Sequence, residues 1–216
     1  MKLLLDELST LFNMVLLYLQ KENVEKIAFE GKNDYYPMVL RKDINFNNPQ
    51  FMQSPKYAIG SLDDDIQGLK DVLSGKHEPW ELDLQRIGAI LTTIGGLLDE
   101  NISFPPDKKC EQELSLNELR LLFKIIPIFL KNKEQIFLKK QGCSEFFFEG
   151  TDDYYFKISH KDINFYDEKF VACPPFTLGS LTENIIDLKK ILAGEANMNG
   201  KALEKLGAVL VAIGEI

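Results

Sequence analysis

The sequence predicts an α+β fold built from two tandem, pseudo-symmetric repeats, each consisting of a helix, a β-hairpin and two further helices. Three observations lead to this prediction. Apolar residues recur at helical spacing in several long segments. Short strand-like runs are separated by turn residues. Motifs of residues 1–103 return in residues 104–216, and these two ranges are the predicted repeats.

The duplication rests on motifs that return at a constant distance. Gly-Ser-Leu at 60–62 returns at 179–181, an offset of about 119 residues that also relates the last helices. The first helices instead align at an offset of about 111 residues, so the second repeat contains an insertion of about eight residues near 135–142. The junction is expected near 104–107, because the consecutive prolines there cannot continue a helix.

Each repeat is predicted to begin with an amphipathic helix, at 3–22 and at 115–133. Ser115 and Glu118 have the spacing of a capping box, in which each side chain bonds to the other residue's backbone amide. Strand-like runs around turn residues predict one β-hairpin per repeat, 26–30 with 35–40 and 145–149 with 154–159. Two helices complete each repeat, 62–74 with 82–98 and 181–193 with 200–214.

Glycines inside the last predicted helix of each repeat indicate close packing. Gly88 and Gly95, like Gly207 and Gly214, place small residues two turns apart on one helix face. A glycine inside a helix destabilises it by about 1 kcal/mol relative to alanine, so a recurrent one is expected to have a packing reason. One explanation is the close approach of another helix or of the hairpin. A more specific hypothesis is that the two last helices pack on each other across a pseudo-twofold axis.

The charge and cysteine content restrict the partners and the compartment. The chain has 25 basic and 33 acidic residues, a net charge of −8, which argues against a nucleic-acid ligand and suits a basic protein. Cys110, Cys143 and Cys173 are too few for a disulfide scaffold and lack metal-site spacing, so a cytoplasmic location is expected. The most apolar stretch is shorter than the ~20 residues of a membrane span, so no membrane partner is expected.

The sequence contains no local signature of a nucleophile elbow, a phosphate loop or a zinc site. His77 and His160 are the only histidines, and both are expected to be solvated loop residues. Asp43 and Asn45 lack the glycine and distal glutamate of a calcium loop, so Asx-turn bonding is expected there. We therefore expect no catalytic residue, no metal and no cofactor, although lysine, carboxylate or tyrosine chemistry needs no local signature.

The candidate partner-binding residues lie mainly in the first repeat. They are Asp63, Asp64, Asp65, Trp80, Tyr35 and Tyr154. The three aspartates form an acidic helix start that is Thr-Glu-Asn in the second repeat, and Trp80 is the only tryptophan. Adjacent tyrosines on a strand point to opposite faces, so one of each Tyr-Tyr pair is expected at an interface. The alternative is that the aspartates are only the solvated terminus of a helix and that Trp80 caps a local core.

Three recurring motifs resemble those of a group of small bacterial proteins of unassigned function. They are Asp-Tyr-Tyr at 34–36 and 153–155, Gly-Ser-Leu before a helix, and a final helix ending in Ile-Gly at 94–95 and 213–214. The group has Trp where this chain has Pro37 and Phe156, and again where it has Ile66 and Ile185. The resemblance covers about 70 residues of each repeat and implies an antitoxin-like or immunity protein.

We therefore expect a non-enzymatic acidic interaction protein, and most specifically an immunity protein that neutralises a basic toxin domain. The first alternative is a small-molecule-binding protein or enzyme with a pocket between the repeats, which convergent polar groups in a deep pocket would favour. The second is a structural subunit of an assembly, which an exposed apolar patch would favour.

Overall fold

The computed structural model describes residues 2–29, 35–37, 58–99, 112–137, 145–147, 154–156 and 177–214. Within these ranges the fold is α+β, with six helices and eight short strands. The helices are α1 Leu5–Lys21, α2 Leu62–Leu73, α3 Glu81–Asp99, α4 Leu116–Phe137, α5 Leu181–Leu192 and α6 Gly200–Gly214. The strands are β1 Lys2–Leu4, β2 Lys26–Ala28, β3 Tyr35–Pro37, β4 Ala58–Ser61, β5 Glu113–Ser115, β6 Glu145–Phe147, β7 Tyr154–Phe156 and β8 Thr177–Ser180.

Each of the predicted helices is present, with boundaries close to those expected. Helix α1 begins at Leu5 because the residues before it form β1. Helix α4 continues to Phe137, so part of the insertion expected near 135–142 lengthens this helix. The predicted capping box is confirmed at its start, where the Ser115 amide donates to Glu118 Oε2 at 2.7 Å and the Glu118 amide donates to Ser115 Oγ at 3.2 Å.

The two predicted β-hairpins are wrong, although their strands exist. Among the described strands, β2 pairs with β5, β6 with β1, β3 with β4 and β7 with β8, all antiparallel. Ile27 lies opposite Leu114, and both side chains are fully buried. A local hairpin alone has no second layer on which to bury such residues, whereas pairing beside α1 and α4 places them in the core.

Helices α1 and α4 pack on each other at the centre of the core. The rings of Phe12 and Phe123 stack there, with centroids 4.1 Å apart and planes 5° apart. The core is one cluster of buried residues that draws on residues 1–103, here called the first half, and on residues 104–216, the second half. The strand pairs β1–β6 and β2–β5 also join the halves. The junction at 104–107 lies outside the described residues.

The contact expected between the last two helices is confirmed. Helices α3 and α6 run antiparallel, with Gly88 against Gly207 and Gly95 against Gly200, so that a Cβ on any of the four would collide with the partner backbone or its neighbours. Gln85 Nε2 donates to the Gly214 carbonyl at 3.1 Å. This hydrogen bond joins the beginning of α3 to the end of α6. This pair forms the layer against which α2 and α5 pack.

Candidate partner-binding site

The acidic start of α2 is largely buried. Asp63 and Asp65 are 7% and 3% exposed, and only Asp64 of the three aspartates is exposed. Position 65 follows Leu62 by three residues and precedes Leu69 by four, so it shares the inner face of the helix. The sequence predicted that all three aspartates form a partner-binding surface. That prediction is wrong for Asp63 and Asp65, which are buried, and only Asp64 is exposed at this turn.

Arg86 on α3 connects the buried carboxylates. Its Nη1 donates to Asp83 Oδ1 at 2.8 Å, and its Nε lies 3.5 Å from Asp65 Oδ1. The guanidinium rests against Gly68 of α2, where a Cβ would lie 2.5 Å from its Cζ. Asp83 is completely buried. Glycine at position 68 thus makes the room in which one arginine meets two carboxylates from different elements.

The environment of Asp65 favours its neutral form. Burial raises the pKa of Asp65 to about 7, the Arg86 charge opposes this shift, and the neighbouring Asp83 adds to it. Its Oδ2 atom has no hydrogen-bond partner within the part of the chain that the structure describes. Near neutral pH the negative charge of this cluster therefore depends on pH.

Trp80 is joined to the same cluster by hydrogen bonds of its backbone. Its amide donates to Asp83 Oδ2 at 3.0 Å, and its carbonyl accepts from the Asp83 amide at 3.0 Å. The indole side chain is 49% exposed. The structure thus brings the Trp80 loop and the acidic start of α2 together, through Asp83 and Arg86.

Sequence reasoning missed Asp83 and Arg86. A signal was present, because two charged residues occur there on a helix whose neighbouring positions are apolar. The positions also change together in the second half, where Ala202, Lys205 and Asn184 stand in place of Asp83, Arg86 and Asp65.

The two candidate tyrosines lie at similar turns in different halves. Tyr35 pairs with Ser61, directly before α2, and Tyr154 pairs with Ser180, directly before α5. Backbone pairing therefore brings Tyr35, but not Tyr154, to the turn that holds Asp63 to Asp65. The side chains of both tyrosines and of both serines lie outside the described part of the chain.

The matching turn of the second half carries different chemistry. Asn184 is 1% exposed and replaces the buried carboxylate of Asp65. Lys205 pairs with Asp187, whose other oxygen accepts from Lys190 at 2.8 Å. Asn199 stands at the position of Trp80 and accepts from the Ala202 amide at 2.8 Å as a helix cap. The described side chains of this turn include neither an exposed aromatic residue nor a buried aspartate.

A groove of about 470 Å³ lies where the first and second halves meet. Its lining residues are Gln20, Asn23, Val24, Glu25, Lys26, Ser115, Leu116 and Asn117. Two of its polar groups already have partners, since Lys26 Nζ pairs with Glu113 at 2.9 Å and Ser115 Oγ donates to Glu118 at 2.8 Å. The groove is open to solvent and lies between the halves, where the small-molecule alternative expects a pocket.

Comparisons with known proteins add no identification. No protein-family model, no curated protein and no solved structure matches the chain, so the resemblance to small bacterial proteins stays a prediction from its motifs. Among the described residues, no group of three or more His, Cys, Asp or Glu is placed to hold a metal ion. None of the described helices has the length and apolar character to cross a membrane. Cys110, Cys143, Cys173, His160, Asp43 and Asn45 lie outside the described residues.

Proposed function

We propose that this chain is a non-enzymatic interaction protein that binds a basic protein through the surface around Trp80 and Asp64. More specifically, the partner is a toxin domain that the chain neutralises as an immunity protein. The observation that carries the proposal is the half-exposed Trp80, whose backbone is bonded to a buried carboxylate. Exposed tryptophans with rigid support are typical of interface hot spots.

The charge beneath Trp80 supports a basic partner. Asp83 and Asp65 share the single guanidinium of Arg86, and Asp63 and Asp64 lie on the same helix turn as Asp65. Among the residues that the structure describes, carboxylates therefore outnumber cations around Arg86, and the field of a carboxylate acts more strongly in a poorly solvated site than in bulk water. Protonation of Asp65 would weaken that attraction below about pH 7.

We further propose that the two halves are copies of one duplicated unit that acts in the cytoplasm. The order of strand, helix, three strands and two helices occurs twice along the described ranges. Contacts between the halves are reciprocal, since Glu7 of α1 pairs with Lys189 of α5 and Glu118 of α4 approaches Lys70 of α2. In this proposal the first half carries the binding surface and the second half completes the core.

The test uses exchanges between the halves. Tagged wild-type protein is used at low salt to capture partners from the native host, and we expect one stoichiometric basic protein that dissociates as salt rises. Trp80→Asn introduces the residue found at position 199, a good helix cap, so the fold is kept while the indole is removed. Asp64→Lys reverses an exposed charge, and Glu183→Lys makes the same change at the matching exposed position of the second half.

We expect Trp80→Asn and Asp64→Lys to lose the partner and Glu183→Lys to keep it. The captured protein is then expressed alone and with this chain, and growth inhibition only in the absence of this chain is expected. Retention of the partner by Trp80→Asn would show that the interface does not include Trp80. Failure to capture any basic protein would reject the proposal and favour a ligand in the groove between the halves.

A further inference from the structure

Helix α4 combines exposed apolar side chains and lysines on one face. Leu121 and Ile128 are 50% and 62% exposed and lie two turns apart. Lys124 lies between them, Lys131 follows, and both are exposed. Within the described part of the chain, neither lysine takes part in an ion pair. This face therefore presents two positive charges and two large, exposed apolar side chains, and no described residue forms an ion pair with either lysine.

The corresponding face of α1 does not have this character. At the offset of about 111 residues that aligns the two helices, Thr10, Asn13, Leu17 and Gln20 stand in place of Leu121, Lys124, Ile128 and Lys131. All four are exposed. Both helices bury their opposite sides around the Phe12–Phe123 stack, so packing of the core does not account for the lysines or for Leu121.

We propose that the α4 face formed by Leu121, Lys124, Ile128 and Lys131 is a docking surface for an acidic amphipathic helix of a second protein partner. The four residues follow one another by three or four positions, which is the spacing of a helix–helix seam. The two lysines of this stripe select carboxylates on the incoming helix. This surface is separate from the one proposed around Trp80, and the charge of its partner is opposite.

An anionic membrane is the less suitable occupant because of the total charge. The chain carries a net charge of −8. An extended anionic surface that approached the α4 lysines would also approach much of this negative charge and be repelled by it. A single helix would lie along α4 only, within the ~8–10 Å over which charges act at physiological salt. Local complementarity therefore favours a helix.

The test uses two synthetic peptides of three heptads each, which share leucines at the seam positions. One peptide carries glutamates and the other carries lysines at the flanking positions, because like charges there oppose self-association of the peptide. We expect the purified full chain to bind the glutamate peptide about tenfold or more tightly than the lysine peptide at low salt. The triple variant Leu121→Thr, Lys124→Asn and Lys131→Gln gives these three positions of α4 the residues of α1 and keeps Ile128. It is expected to lose this binding by about tenfold or more while melting within a few degrees of wild type, since its positions are exposed.

Leu17→Thr is the matched control, because it removes an exposed leucine from α1, and it should leave peptide binding unchanged. Equal binding of the two peptides, absence of binding to both, or unchanged binding by the triple variant would overturn the proposal. Preferential binding to vesicles of phosphatidylcholine and phosphatidylserine would overturn it in favour of a membrane.

Discussion

Gly88 of α3 and Gly207 of α6 lie backbone to backbone, and each occupies the space that a side chain on the other would need. A Cβ on either residue would collide with the carbonyl oxygen of the other. Backbone atoms cannot turn away as a side chain can, so the collision has to be relieved by moving a helix. These two glycines therefore set the separation of α3 and α6.

Alanine at either glycine should destabilise the fold despite its better helix propensity. The propensity gain is about 1 kcal/mol, whereas forced overpacking costs about 1–3 kcal/mol and more when backbone is displaced. We expect Gly88→Ala and Gly207→Ala each to lower the urea midpoint, measured by circular dichroism. Asn13→Ala, at an exposed position of α1, is the control and should leave the midpoint unchanged or raise it slightly. A Gly88→Ala variant as stable as wild type would show that the helices can separate freely.

Asp65 should make stability fall as pH rises towards neutrality. Its pKa is about 7 in the fold against 3.8 normally, so the folded state holds this proton more tightly than the unfolded state. Its stabilising contribution is complete below about pH 4 and is lost as pH rises through about 7, at up to about 1.4 kcal/mol per pH unit. Asp65→Asn cannot ionise. Its unfolding free energy, relative to wild type, should therefore increase between about pH 5 and pH 8.

The control for this pH dependence is Asp187→Asn, which should behave in the opposite way. Hydrogen bonds from Lys190 and Lys205 lower the pKa of Asp187, so its contribution is present at neutral pH and is lost as the pH falls through its folded-state pKa. The unfolding free energy of wild type, relative to that of Asp187→Asn, should thus increase as the pH rises from acidic values. Urea unfolding at a series of pH values measures both variants. Parallel curves for wild type and Asp65→Asn would contradict the assignment.

Removing Arg86 should be more harmful than removing Asp65. Arg86→Met leaves the fully buried Asp83 without its cation, and breaking a buried ion pair in this way costs about 3–5 kcal/mol. Part of the loss comes from Asp65, so Arg86→Met combined with Asp65→Asn should be more stable than Arg86→Met alone at about pH 8. A double-mutant cycle by chemical unfolding measures this coupling. Strict additivity of the two substitutions would mean that Arg86 and Asp65 do not interact.

Local signals in the sequence predicted the helices and their contacts better than the strands. Helical periodicity located α1 to α6, Ser115 and Glu118 showed their capping box, and the recurrent glycines predicted the packing of α3 on α6. Those features depend on residues within a few turns of each other. Strand pairing instead depends on which buried surface is nearby in space. Ile27, for example, pairs with Leu114, which is far away along the chain.

The candidate site was predicted in part for the same reason. The composition of each segment indicated the aspartates and Trp80, and the exposed indole is consistent with a contact role. Burial of Asp65 depends on its position on the inner face of α2, and its link to Trp80 depends on Arg86 lying against Gly68. Both relationships arise from the packing of α2 on α3, which has no local signature in the sequence.

The reciprocal ion pairs between the halves should differ in strength. Lys189 Nζ lies 2.8 Å from Glu7 Oε1, whereas Lys70 Nζ lies 4.0 Å from Glu118 Oε1. Both pairs are partly exposed, so we expect Lys189→Met to lower the free energy of unfolding by about 0.5–1 kcal/mol and Lys70→Met by less. The lysines are changed because Glu7 and Glu118 also accept the amides that begin α1 and α4. Added salt should reduce the difference between Lys189→Met and wild type, and equal effects of the two substitutions at low salt would show that the shorter distance confers no advantage.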